Sequence, residues 1–194
     1  MTSPVEPVVP VGRLRELGQP TLPADGGLLL RPWAPGDVDV VLRAFADPDI
    51  QFWNLETLST REAAADWLSQ WGPGWQAERQ GSWAVTDASS AAVLGRVALR
   101  RVHLAEGVAE CTYWTLPEAR GRAVASGAVR AVCRWAFEVL GLHRLELQHS
   151  TRNAPSCGVA RRAGFAVEGT RREALRHVDG WHDMHLHSRV AGDP

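Results

Sequence analysis

Tyr113-Trp-Thr-Leu-Pro-Glu-Ala-Arg-Gly-Arg-Ala-Val-Ala-Ser-Gly-Ala128 is the stretch from which the rest of the chain can be read. It looks like a strand end, a sharp turn at Pro117, and a loop of small residues opening a long helix. Val124, Ala128, Ala131, Val132, Trp135, Ala136 and Val139 recur at helical spacing, and Gly141 ends the run. A helix start carries unpaired backbone N–H groups and a positive dipole end. Small side chains let a phosphate approach those N–H groups, and Arg120 and Arg122 add charge. The segment is suited to hold a phosphorylated cofactor; an ordinary strand-to-helix connection is the plainer reading.

The 194 residues suit one domain with a sizeable core. At 45% hydrophobic and 22% charged, the composition is that of an ordinary globular protein. Apolar runs are too short to cross a bilayer and no charged-then-apolar leader opens the chain, so a cytoplasmic protein with no membrane partner is expected. Cys111, Cys133 and Cys157 show no paired-ligand spacing and are expected as reduced thiols. The net charge of −1 is unevenly spread. Residues 96–176 hold 14 Arg against 7 Glu, while the remainder holds 7 Arg against 15 acidic residues. The basic half contains the small-residue loop, which fits a polyanionic ligand there; charge clustering on solvated faces is the alternative. No basic, aromatic-rich ribbon suggests nucleic acid. Every basic residue is Arg or His, so an amine-modifying enzyme of this sequence has no ε-amines of its own to modify.

Residues 1–24 hold Pro4, Pro7, Pro10, Pro20 and Pro23, which predicts an extended or mobile tail ahead of a single domain over 25–194. Gly27–Arg31 reads as a first strand, and Pro35-Gly-Asp37 leads into a helix with Val38, Val41, Leu42 and Phe45 on one face. Residues 47–54 read as a loop. Thr60 caps a second helix with a stripe of Ala64, Trp67, Leu68 and Trp71, interrupted at Pro73-Gly74. Strands follow over 82–86, 92–101 and 108–114, then the long helix and a strand over 144–149. Asn153-Ala-Pro-Ser156 starts a last helix ending at Gly164, and two strands, 165–176 and 181–190, turn at Asp179-Gly180.

This order of elements resembles the GNAT acyltransferase fold, an α/β (α+β) architecture with a central mixed, mostly antiparallel twisted sheet flanked by helices. Members of that family hold the coenzyme A pyrophosphate on an Arg/Gln-x-x-Gly-x-Gly/Ala loop. Arg120-Gly-Arg-Ala-Val-Ala125 is similar to it, followed by Ser126-Gly-Ala128; Ala123 departs from the middle glycine, although alanine suits a helical φ. Asn153-x-x-Ser156, Arg162-Ala-Gly-Phe165, Glu168-Gly169 and Asp179-Gly-Trp-His-Asp-Met184 resemble the RimJ/RimL branch, as does the strand Glu110-Cys-Thr-Tyr-Trp114. The resemblance covers residues 27–190.

It implies acetyl transfer from acetyl-CoA, as co-substrate and without a metal, to a primary amine on a protein N-terminus or a small molecule. Relatives commonly pair as homodimers. In the family, the strand end Trp114, Thr115 and Leu116 splays from its neighbour, its free backbone groups bind the pantetheine arm, and an N–H there can stabilise the oxyanion. The pyrophosphate falls to Arg120, Gly121, Arg122, Ala123, Val124, Ala125 and Ser126. By motif position Ser156 protonates the leaving thiolate and Asn153 bonds the coenzyme arm; a helix-start Ser and a plain cap are the structural alternatives. Glu110 can relay the amine proton through water, or be a solvated strand carboxylate; Glu173, His149 and His103 are further candidates for the base.

His182, His185 and His187 invite a metal reading. On a strand His185 and His187 share a face and His182 does not, and no acidic or cysteine partner has ligand spacing, so imidazoles lining a pocket are expected instead. No Gly-x-Ser-x-Gly elbow or Walker loop is present. Most of the nine tryptophans are expected in the core, with Trp53, Trp71 and Trp75 near the acceptor side and the 47–60 and 72–81 loops setting specificity. A non-catalytic module of the same fold, binding coenzyme A or a partner protein, is the second reading.

Overall fold

The computed structural model describes residues 5–193. It has seven α-helices and eight strands: α1 (Arg13–Leu17), β1 (Leu22–Ala24), β2 (Leu28–Pro32), α2 (Val38–Ala44), α3 (Pro48–Asn54), α4 (Arg61–Ser69), α5 (Trp71–Gln76), β3 (Gly81–Asp87), β4 (Val93–His103), β5 (Val108–Thr115), α6 (Val124–Trp135), β6 (Arg144–Ser150), α7 (Ala154–Arg162), β7 (Ala166–His177) and β8 (Gly180–Val190). The sheet runs β1-β2-β3-β4-β5-β6-β8-β7. Every neighbouring pair is antiparallel except β5 and β6, which are parallel because a helical crossover joins them. The expected class and mixed sheet are what the chain forms.

One core lies under α6, where Val124, Ala128, Val129, Val132 and Trp135 pack on strand residues such as Trp83, Val97 and Leu145. A second lies under α2 and α4 and holds Val41, Phe45, Trp67, Trp71 and Trp114. Six of the nine tryptophans are buried, in line with the sequence reading. Among the described residues no helix is long and apolar enough to cross a membrane.

The expected free tail is corrected. Pro4 lies outside the described residues, but residues 5–24 are built into the domain. Val8 and Val9 donate backbone hydrogen bonds to Ala105 and Leu104. Val9 and Leu14 are buried in the α6 core, and β1 pairs with β2. The Glu78 carboxylate accepts from the amides of Gly12 (2.8 Å) and Leu14 (2.9 Å), satisfying the start of α1 across the fold. Proline-rich spacing leaves the segment extended, and tertiary hydrogen bonds hold it there. Two further expected loops are short helices. Asp47 caps α3, its carboxylate accepting from Ile50 N at 2.9 Å with Pro48 in the first turn. In α5, Trp71 and Trp75 anchor Pro73 and Gly74 to the cores.

Candidate active site

β5 and β6 pair only at Val108↔Arg144, Ala109↔Leu145 and Glu110↔Glu146. Beyond that point β5 stays on β4 as far as Thr115, and β6 stays on β8 as far as Ser150. The strands part from Cys111 onward, and their facing edges carry backbone groups with no ladder between them. This is the splay expected of the strand end. A cleft of about 1190 Å³ opens there, and Trp114 and Thr115 line it. Leu116 does not: its side chain is buried in the α2/α4 core and its N–H donates to Leu94 O at 2.9 Å, which corrects its expected role.

Gly121, Ala123, Val124, Ala125 and Ser126 line the same cleft. The first α-helical hydrogen bond of α6 runs from Gly127 N to Ala123 O, so the amides of Val124, Ala125 and Ser126 have no acceptor within the helix. The Ser126 hydroxyl donates to Ala123 O at 3.1 Å. Ala123 sits at φ +57°, ψ +15°, which corrects the expectation of a helical φ. The middle position is left-handed, where the family pattern's glycine is strain-free and alanine costs about 1–2 kcal/mol. Arg122 is exposed and outside the cleft lining. Arg120 lines the cleft, but its guanidinium bonds Asp47 (2.6 Å) and Asp49 (2.9 Å) at the start of α3. It ties the loop to the opposite wall.

Across the splay, α7 contributes Ser156 and Asn153. Asn153 caps α7, its side-chain oxygen accepting from Ser156 N at 3.1 Å. Capping accounts for Asn153, while the Ser156 hydroxyl is free for other work. That hydroxyl lies 2.6 Å from Tyr113 Oη. Burial pushes the Tyr113 phenol up to about 12, so it keeps its proton at neutral pH. Sequence reasoning missed Tyr113, although it is the single tyrosine of the chain. Glu110 stands where the strands part and lines the cleft, paired to Arg101 at 3.1 Å. His149 also lines the cleft, with a pKa lowered chiefly by burial. Glu173 and His103 are exposed and lie outside this lining.

The other wall carries large side chains. Arg96 on β4 is buried beneath the faces of Trp71 and Trp67, its guanidinium carbon 4.6 and 5.2 Å from their ring centres. Its Nε donates to Ser82 Oγ at 2.9 Å. Burial pulls its pKa down to about 9, still charged at neutral pH. The far end of α3 is fixed by His177, whose Nδ1 lies 3.1 Å from Phe52 O, while the Trp53 ring rests on His177 and His182.

His182 stands apart from the other β8 histidines and bonds Ser150 and Asp179. His185 and His187 share a face as expected, but they are not alone. His149 from β6 and Cys157 from α7 join them, which corrects the expectation that no cysteine completes the set. Burial, with smaller repulsion from His149, His185 and Arg161, pulls His187 down to about 4.

Comparison with known proteins fits this geometry. Residues 27–166 match the family model described as Acetyltransferase (GNAT) domain. A relative from Bacillus subtilis (strain 168), named "Putative ribosomal N-acetyltransferase YdaF", is 33% identical over 88 residues; the match spans 45% of this chain and 48% of that protein, so the chain spans about half the length of this relative. Among solved structures, Mycobacterium smegmatis RimJ in complex with CoA-disulfide superposes with a TM-score of 0.78 at 22% identity, covering 89% of this chain and 87% of that one. Spermidine N-acetyltransferase from Vibrio cholerae, in complex with CoA and spermine, gives 0.77 at 18% identity over 87% and 98%. The parted strands, the small-residue start of α6 and a family model matching more than two thirds of the sequence lead to one conclusion: the chain belongs to the GNAT acetyltransferase family.

Proposed function

We propose that this chain moves the acetyl group of acetyl-CoA to a primary amine by direct attack within a ternary complex. The observation carrying the reading is the single cleft that joins the unpaired β5 edge, the amides opening α6 and the Tyr113–Ser156 hydroxyl pair. Gly121 and the amides of Val124, Ala125 and Ser126 take the pyrophosphate, where backbone donors and the helix dipole both favour an anion. The pantetheine arm lies along the β5 edge like an added strand and brings the thioester to the point where the strands part. The acceptor approaches from the Trp67, Trp71 and Arg96 wall. Glu110 is on that face of β5, in register with Arg100, and takes the ammonium proton through water. The amine nitrogen attacks the thioester carbon, an edge N–H holds the oxyanion, and the carbon–sulfur bond breaks. Ser156 protonates the departing thiolate and is reprotonated from Tyr113, and the second proton of the former ammonium, shed by the nitrogen as the amide forms, returns to Tyr113 through water.

The acceptor we favour is a protein N-terminal α-amine, as the RimJ/RimL resemblance implies, and the name of YdaF, a putative ribosomal N-acetyltransferase, is in keeping with a protein acceptor; a polyamine is the second choice, suggested by the spermidine enzyme. No metal is assigned to the reaction. Release of coenzyme A thiol, followed with free-N-terminus peptides and with spermidine, tests the reading. Amine-dependent release supports it. Acetyl-CoA binding without release to any amine would instead support the non-catalytic module.

A further inference from the structure

We propose that His149, His185, His187 and Cys157 form a binding site for Zn(II), separate from the acetyl-transfer chemistry, that pins the first turn of α7 to the sheet. The register of β6 and β8 places His149 opposite His185 and Leu147 opposite His187. All three imidazoles therefore stand on the sheet face that α7 covers. Cys157, in the first turns of α7, completes the group: one nitrogen of each histidine and the Cys157 sulfur all lie within 4.8 Å of one another. A tetrahedral zinc with bonds of about 2.0–2.3 Å has ligand-to-ligand edges of about 3.3–3.7 Å, so closure requires a shift of roughly 1 Å.

The hydrogen-bond pattern is a second, independent reason. His149 Nδ1 lies 2.7 Å from Ser150 O, which places the proton on Nδ1 and turns the Nε2 lone pair inward. A backbone carbonyl on the outer nitrogen is the usual support of a metal-bound imidazole. The inward Nε2 lies 3.0 Å from His187 Nε2. If His187 carries its proton on Nε2, its buried Nδ1 is a bare acceptor; if on Nδ1, two lone pairs oppose each other. His187 Nδ1 and His185 Nδ1 are both buried with no hydrogen-bond partner among the described residues. A cation between the imidazoles turns opposed lone pairs into ligands.

Imidazole and thiolate donors with no carboxylate select zinc over magnesium or calcium, and four protein ligands make a closed, structural site. Binding deprotonates the Cys157 thiol and so releases one proton. Cys157 follows Ser156 in sequence, so a metal here fixes the turn that presents the Ser156 hydroxyl to Tyr113. The ligands come from three separate elements, and no linear spacing announces them.

The test is cobalt titration of the full, tag-free chain after chelator treatment. One equivalent of Co(II) should give the visible bands of a tetrahedral site and a near-ultraviolet thiolate-to-cobalt band, both erased by one equivalent of Zn(II). Zn(II) should also raise the melting temperature, and a chelator should reverse the rise. Cys157→Ser should lose the thiolate band, although the buried Cys111 and Cys133 remain. His185→Asn, at a half-buried position, should weaken binding by at least about tenfold. Circular dichroism establishes that each variant is folded. Absence of a stoichiometric cobalt spectrum in the wild type overturns the proposal whatever the variants do. A thiolate band that survives in folded Cys157→Ser overturns it too.

Discussion

The wall of the cleft built from β5, the 120–126 loop and α7 offers backbone groups and small hydroxyls, the Tyr113–Ser156 pair among them, whereas the facing wall, α3 to α5 over β4, offers tryptophan faces and a buried guanidinium. The first wall depends on where a strand stops and a helix starts, which local sequence controls. The second depends on which side chains meet from distant segments. α3 joins the two, held by Arg120 at one end and by His177 at the other. On the proposed reading, backbone geometry holds the cofactor and the side chains of the facing wall meet the acceptor.

If the walls have these separate roles, changes to them should separate stability from chemistry. The largest effect is expected on the tryptophan wall. Trp67 packs against Trp33, Phe45 and Trp71 and covers Arg96, so Trp67→Ala should cost about 3–5 kcal/mol in urea unfolding. A loss below about 1 kcal/mol would mean that this wall is not a core. On the opposite wall, Ser156→Ala should lower kcat about 100-fold with little change in stability or in the KM for acetyl-CoA, and Tyr113→Phe about tenfold, both read by thiol release. An unchanged kcat in both would remove the hydroxyl pair from the mechanism.

Tyr113 also makes a prediction about alkaline stability. In the unfolded chain its phenol ionises near pH 10.0, and in the fold near 12. Between those values the unfolded state has released a proton that the folded state keeps, so stability falls as pH rises through the window. The wild type should lose about 1 kcal/mol more than Tyr113→Phe between pH 9 and pH 11. Equal slopes in urea titrations of the two proteins would place the phenol in contact with water. The smallest effect is expected in the loop: Ala123→Gly relieves the left-handed strain but adds freedom to the unfolded chain, so a gain below about 1 kcal/mol is expected in thermal unfolding. A loss of stability there would contradict the assigned φ.

The same contrast explains what could be read from sequence. The β5-to-α6 segment, the Asn153 cap and the presence of a hairpin turn at Asp179 were legible because each is set by neighbouring residues, although the turn is Val178-Asp179, one residue earlier than the sequence suggests, with Gly180 already paired to His177. Asp47-Pro48 serves a helix start as well as a turn, and only Arg120 and the packing of Ile50 decide for α3. The N-terminal segment reads as a tail because five prolines outweigh Val9 and Leu14; its decisive contact, Glu78 on the α1 amides, is more than 60 residues away. The Tyr113–Ser156 contact and the histidine–cysteine group likewise cross between elements, so the residue types were visible and their meeting was not.

On the proposed function, the start of α6 and the parted strands form one acetyl-CoA site. Calorimetry with acetyl-CoA on the wild type and on Ala125→Asp tests it most directly. A carboxylate in the first turn of α6 suits the helix dipole, so the variant should fold, but it occupies the place of the pyrophosphate with like charge. One-to-one binding in the micromolar range that disappears in folded Ala125→Asp is the expected result. Equal binding by both proteins, or none by the wild type, would contradict it.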